Sequence, residues 1–385
     1  MNAVNSGLPE PLLPGANLGV IGGGQLGRYF VWEARRLGYH TWVLDPDASA
    51  PAMQIAEHAL VAAYDDQVAL NSLAEQCDAV TVEFENVPAQ SLEFLATLTR
   101  VAPSANAIRV AQDRALEKNQ ALKFGLQPVP YAVIESLSDI PAALDKVELP
   151  AIIKTSRLGY DGKGQVVCST EEQVRAAFDQ LDHACCVLEH RIDLAAEVSV
   201  ILARGYDKQV QVFPISRNVH ENGILATSLV PSGVDPKILD QATALAIALA
   251  EGLDYIGVLA VEFFIDSKGT VLFNEMAPRP HNSGHYTLDA THSSQFEQQL
   301  RALCALPLAS TELLSPVCML NLLGDSWGEN KPDWHSLMAR KGLSLHLYGK
   351  QEARPARKMG HVNILSDTQD KAFELARQLH QSLQL

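Results

Sequence analysis

Short apolar runs bounded by turn residues alternate with longer amphipathic stretches over residues 17–107. NLGVI (residues 17–21) reads as a strand, GGGQLG follows, and residues 29–37 read as a helix stopped by Gly38. HTWVLD, HALVA (58–62) and AVTVEF (79–84) continue as strands. Strands alternating with helical stretches predict a parallel sheet with helices on its faces. The next region opens on a charged helix, residues 113–124, ending before Gly125 and Pro128. A strand ending in lysine (AIIK, 151–154), a Gly-rich loop, helix 170–181, strand CCVLEH, several β-type segments and helix 236–251 follow. An apolar hairpin comes next: IGVLAVEFFID, turn residues 266–269, then TVLFNEM. From Cys318 onward the pattern gives short strands (CMLNLLG, LSLHLYG, GHVNIL) and a final helix from about Thr368. The expected division is 1–110, a doubly wound domain; 111–307, carrying a flap subdomain over about 120–188; and 308–385, a small β-rich domain. The fold class is α/β.

Composition narrows the function. The chain has 385 residues, enough for two or three domains. With 47% hydrophobic and 19% charged residues, disorder is excluded. No apolar run approaches the roughly 18 residues a membrane span needs, and residues 1–16 lack the basic start and apolar middle of a signal peptide. A cytoplasmic protein with no membrane partner is expected. The net charge of -15 repels phosphate backbones, so nucleic acid is not an expected partner. A site for a small anion must then be built locally, from glycine backbones and a few placed cations. The six cysteines show neither CxxC nor metal-finger spacing, which reads as reduced, mostly buried thiols.

Gly22, Gly24 and Gly27 match G-x-G-x-x-G between a strand and a helix, with Asp45 ending the next strand. That is the context of a dinucleotide fingerprint, and equally of a tight strand-to-helix turn. The second region carries a different chemistry. Lys154 ends a strand, and GYDGKGQ (Gly159, Tyr160, Asp161, Gly162, Lys163, Gly164, Gln165) follows as a locally positive flap whose amides can close over phosphates. No P-loop motif is present. In the hairpin, Glu262 interrupts AVEFFI and Asn274-Glu275 interrupts VLFNEM. A tight turn pairs Ile265 with Thr270, sets Glu262 opposite Phe273, and leaves Glu275 one diagonal step away on the same face. Acids inside apolar strands are costly unless paired or metal-bound, so the two carboxylates are candidate ligands of a hard cation. Glu189-His190-Arg191-Ile192 leaves a strand near Glu197; such a segment can offer backbone groups to a base and a carboxylate to a ribose, or be a solvated turn.

Lys154, GYDGKGQ, EHRI with Glu197, Glu262 and Asn274-Glu275, in this order behind a doubly wound domain, resemble the ATP-grasp superfamily. GGGQLGR, TVEFENVP (81–88), GYDGKGQ and NEMAPRPHNSGH (274–285) resemble its 5-(carboxyamino)imidazole ribonucleotide synthetase family over nearly the whole chain. The resemblance implies an ATP-grasp fold and an ATP-dependent ligase of purine biosynthesis. ATP would phosphorylate bicarbonate to carboxyphosphate, and the amine of 5-aminoimidazole ribonucleotide would take the carboxyl group. It further implies that Arg114, Lys154, Gly159–Gln165, Glu189–Ile192, Glu197, His220 and Asn274-Glu275 hold the nucleotide, and that Glu262 and Glu275 hold Mg2+ (or Mn2+). Arg279, His281 and Asn282 would form the bicarbonate site. Tyr160 and Asp161 would lie near the aminoimidazole, which Gln25 faces, and Lys350 with Arg357 would clamp the ribose phosphate. A homodimer is implied as well. The alternative ATP-grasp reading is a formate-dependent glycinamide ribonucleotide transformylase, which shares the GGGQLG-type loop and an APAMQ-like stretch (50–54). The reading from another class is a nicotinamide oxidoreductase built on the glycine loop and Asp45.

Overall fold

The computed structural model describes residues 8–157, 159, 164–327 and 332–383. The N-terminal region contains β1 (Asn17–Ile21), α1 (Gln25–Arg36), β2 (His40–Asp45), β3 (His58–Val61), α2 (Gln67–Gln76), β4 (Ala79–Val82), α3 (Ala89–Ala96), β5 (Arg100–Val101) and α4 (Ala105–Ala111). Its five strands pair in the order β3-β2-β1-β4-β5, all parallel. β1 and β4 are apolar without alternation because helices cover both faces of the sheet. α1 begins four residues before the amphipathic stretch suggests, since its first turn is made of the glycine loop itself. Its buried face is Leu26, Tyr29, Phe30 and Ala34.

α5 (Arg114–Lys123) starts the second region; Asp113 caps it by accepting the N–H groups of Ala115 and Leu116. β6 (Tyr131–Ile134), α6 (Ile140–Leu144), β7 (Ala151–Thr155), β8 (Gln165–Cys168), α7 (Glu171–Gln180) and β9 (Cys186–His190) form a flap subdomain. Its antiparallel sheet, ordered β6-β9-β7-β8, closes a separate core around Ile134, Ile153, Phe178 and Leu188.

β10 (Leu194–Arg204), β11 (Val210–Val212), β12 (Ser216–Glu221), β13 (Ile224–Val230), α8 (Pro236–Gly252), β14 (Gly257–Asp266), β15 (Val271–Ala277), α9 (Thr287–Ala290) and α10 (Gln295–Leu303) complete that region. The C-terminal elements are β16 (Val317–Leu323), α11 (Trp334–Met338), β17 (Leu343–Leu347), β18 (Lys358–Leu365) and α12 (Gln369–Ser382). The central sheet runs β15-β14-β10-β12-β13-β16-β18-β17, with β11 beside β10. The C-terminal strands thus extend the central sheet, because β13 offers its second edge to β16.

The hairpin register differs from the expectation. Ile265 pairs with Val271 and Phe263 with Phe273, after which a bulge at Asn274 sets Glu262 directly opposite Glu275. The extra residue in β15 restores the shared face that a simple slip would have destroyed.

Candidate active site

The glycine loop does not present its amides to a ligand. Gly23 N–H donates to Asp45 Oδ2 (2.6 Å), while Gly24 and Gly27 N–H donate to the two oxygens of Glu83 (2.6 and 2.8 Å). A Cβ on Gly24 would lie 2.3 Å from Glu83 Oε1. The N-terminus of α1 therefore already holds a carboxylate, at the place where a dinucleotide would put its pyrophosphate. Asp45 also accepts the Tyr64 hydroxyl (2.8 Å), so its carboxylate is committed to the protein. This overturns the oxidoreductase reading.

One cleft of about 930 Å³ lies where the three regions meet. On its flap side, Lys154 donates to Glu189 Oε2 (2.6 Å), and the wholly buried Lys118 pairs with Glu189 Oε1 (3.0 Å) and donates to the Asn274 carbonyl (3.2 Å). Burial works to raise the Glu189 pKa, but the two ammonium groups and Arg114 outweigh it and hold it at about 2. Glu189 thus serves the lysines from behind the cleft. The N–H groups of His190 and Arg191 donate to the carbonyls of Pro130 and Pro150.

Across the cleft floor stand the hairpin acids. Arg114 bonds Glu275 (3.0 Å). Glu262 accepts the Ser199 hydroxyl (3.0 Å), whose oxygen accepts Asn218 Nδ2 (2.6 Å) in turn. Burial, then the carboxylates of Glu197 and Glu275, push the Glu262 pKa up; burial also works on Glu275, but Arg114 and Lys154 hold it low. His220 Nδ1 pairs with Glu197 (2.9 Å). The imidazole is opposed by burial, yet Glu197 and Glu262 keep its pKa above the ordinary value. Glu197, His220 and Glu262 bring ligand atoms within 4.8 Å of one another. Carboxylates this crowded, with Glu262 driven towards its neutral form, suit a divalent cation with oxygen preference.

Beyond the acids, Arg279 Nε bonds Glu85 Oε2 (2.5 Å). His281 shares its Nδ1 with the Ser283 hydroxyl (2.8 Å); burial, then Arg279 and Lys358, drive its pKa to about 3, so the ring is neutral. Gln25 Nε2 reaches Asn282 Oδ1 at 3.5 Å.

The basic loop after β17 also lines the cleft. Lys350 donates to the Lys358 carbonyl (2.7 Å) and sits over the Tyr348 ring (5.5 Å); Arg357 donates to the Glu352 carbonyl (2.9 Å). Gly324 pins this loop, because a Cβ there would lie 2.0 Å from the Arg354 carbonyl oxygen.

The cleft brings together Gln25, Arg114, Lys154, Gly159, Gln165, Glu197, His220, Glu262, Asn274, Glu275, Arg279, His281, Asn282, Lys350 and Arg357. Glu189, His190, Arg191 and Ile192 are not among its lining residues. Gly164 adopts φ +72°, beside Thr155. Tyr160, Asp161, Gly162 and Lys163 lie outside the described residues. Sequence reasoning missed Lys118, Glu83 and Glu85. The two glutamates carried the same signal as Glu262, an acid in an apolar run, whereas Lys118 looks like any solvated helix lysine.

Family models match over the same three regions: a ribonucleotide synthetase preATP-grasp domain over residues 16–112, an ATP-grasp domain over 119–296, and a phosphoribosylaminoimidazole carboxylase C-terminal domain over 317–374. The chain is 44% identical over 353 residues to the N5-carboxyaminoimidazole ribonucleotide synthase of Brucella melitensis, covering 91% of this chain and 96% of that protein. It superposes with TM-score 0.93 and 42% identity on the ADP complex of an N5-carboxyaminoimidazole ribonucleotide synthetase, covering 97% and 98% of the two chains. The Aspergillus clavatus synthase, bound to ADP and 5-aminoimidazole ribonucleotide, matches with TM-score 0.88 and 30% identity over 97% and 99%.

Proposed function

Because the chain belongs to the N5-carboxyaminoimidazole ribonucleotide synthase family of ATP-grasp ligases, we propose that its cleft carboxylates 5-aminoimidazole ribonucleotide at the expense of ATP. Bicarbonate attacks the γ-phosphorus to give carboxyphosphate and ADP; the exocyclic amine then bonds to the carboxyl carbon, the bond from that carbon to the phosphate oxygen breaks, and the phosphate leaves with the proton the amine gives up. Lys154 and Arg114 lie on the nucleotide side as fixed charges for the phosphates, and Glu197 is the carboxylate for the ribose. Glu262 and Glu275 would hold Mg2+ or Mn2+. A cation bound there offsets the charge of the transferring phosphoryl group.

Arg279, held by Glu85, supplies the positive charge for bicarbonate, and neutral His281 beside it adds a hydrogen-bonding group without repelling the ion's partner cation. Asn282 and Gln25 complete that wall. Lys350 and Arg357 clamp the ribose phosphate, and Tyr160 and Asp161 serve the aminoimidazole, as the family resemblance implies. The enzyme acts in the cytoplasm, which suits the free cysteines at all six positions, and as a homodimer, as the family resemblance implies.

The observation that supports the reading most is that one cleft gathers Lys154 and Arg114, the acids Glu262 and Glu275, Arg279 with His281, and Lys350 with Arg357. Its test is ADP release with each reactant omitted in turn. Full turnover should need bicarbonate, 5-aminoimidazole ribonucleotide and magnesium together. Equal turnover with formate and glycinamide ribonucleotide would overturn it in favour of the transformylase.

A further inference from the structure

We propose that Gln295 is a positioning residue for the bicarbonate side of the reaction, acting by gripping the backbone of His281. This rests on the reading of His281 given above. Gln295 is the first residue of α10 and is wholly buried. Its Oε1 accepts the His281 N–H (2.8 Å) and its Nε2 donates to the His281 carbonyl (2.7 Å). Its own N–H donates to Thr287 Oγ1 (3.0 Å). The amide therefore pairs with His281 as a neighbouring strand would, although residues 278–285 have left β15 and pair with no strand among the described residues.

A primary amide is the side chain that offers one donor and one acceptor in this fork. Gly284 makes the approach possible: a Cβ there would lie 2.5 Å from Gln295 Oε1 and 2.5 Å from Ile201 Cδ1. The grip sets where the His281 side chain meets the cleft. A displacement of an ångström at such a wall is costly to rate.

The same helix contains its own control. Gln298, one turn along and equally buried, grips the backbone of Ala309 in the same way: Nε2 to the carbonyl (2.6 Å) and Oε1 from the N–H (3.1 Å). Ala309 is not a cleft residue. Gln295→Glu and Gln298→Glu therefore make one chemical change, each setting a carboxylate against a buried carbonyl; Gln298 Nε2 also donates to the Ser293 hydroxyl (3.0 Å), and of the two gripped residues His281 lines the cleft and Ala309 does not.

Gln295→Glu should raise the KM for bicarbonate about ten-fold or more and leave the Kd for ATP within two-fold. Gln298→Glu should lose comparable thermal stability and leave the bicarbonate KM within two-fold. Gln295→Met removes the grip without adding charge and should behave as Gln295→Glu if the latter folds poorly. His281→Ala separates this proposal from its premise. If His281→Ala leaves the bicarbonate KM unchanged, the bicarbonate reading of His281 fails. If it raises that KM while both Gln295 variants match Gln298→Glu, the positioning role fails. The double variant of Gln295→Met with His281→Ala should be no worse in bicarbonate KM than His281→Ala alone, since the two act through one group; additive effects would overturn the proposal.

Discussion

Glu189→Gln tests whether the buried lysine pair is held by one carboxylate. The two oxygens each take one ammonium, Lys154 at 2.6 Å and Lys118 at 3.0 Å, and Lys118 has no exposure at all. An amide of the same shape keeps one acceptor and turns its NH2 towards the second ammonium. Breaking a buried pair in this way costs about 3–5 kcal/mol. An independent figure comes from the depression of the Glu189 pKa from 4.5 to about 2. At about 1.36 kcal/mol per decade of protonation equilibrium, this amounts to roughly 3 kcal/mol.

At about 2–4 °C per kcal/mol for a domain of middling size, the variant should melt roughly 6–12 °C below wild type. The pH dependence has a definite sign. Glu189 is depressed in the folded state, so its contribution is present above the unfolded value near 4.5 and is lost as pH falls towards 2. Urea midpoints measured from pH 7 downwards should show a constant gap between the two proteins to about pH 5, narrowing below it. A variant within about 0.5 kcal/mol of wild type at pH 7, or a gap that widens in acid, would refute the reasoning.

Glu275→Gln should abolish turnover at saturating magnesium while leaving the circular dichroism near native, because it removes a charged oxygen donor from the acid group; near-native ADP release would sink the metal assignment. His285 stacks on His361 at 4.5 Å with its pKa driven down by burial, and neither of its ring nitrogens meets a partner among the described residues. Its depressed pKa means that stability falls as pH drops below the unfolded value near 6.5. His285→Phe should flatten the loss of Tm between pH 7 and 5, and an unchanged slope would contradict this. Arg357→Ala should raise the KM for 5-aminoimidazole ribonucleotide about ten- to a hundred-fold, from roughly 1.5–3 kcal/mol per charge-assisted bond, and spare the KM for ATP. A change confined to ATP would move the basic loop to the nucleotide side.

Much of this molecule is local and therefore legible without coordinates. The strands and helices follow from apolar periodicity, Asp113, Thr170 and Thr368 announce the helix starts they cap, and the charged residues of GYDGKGQ and NEMAPRPHNSGH stand out against an acidic, otherwise ordinary composition. What tertiary structure alone decided is what each local feature faces. The glycine loop has the spacing of a dinucleotide site, yet its amides are taken by Glu83, 59 and 56 residues distant from Gly24 and Gly27. The hairpin acids were visible as acids, but their direct opposition depends on a bulge at Asn274 that no periodicity signals. Lys118 is indistinguishable in sequence from its solvated neighbours and becomes a buried cation only because β9 delivers Glu189 to it. Gln295 is a plain polar residue until the turn after β15 comes to lie on its amide. Periodicity and capping are set by neighbours within a few residues, whereas hydrogen-bond satisfaction and charge pairing of buried groups depend on partners brought in from remote parts of the chain.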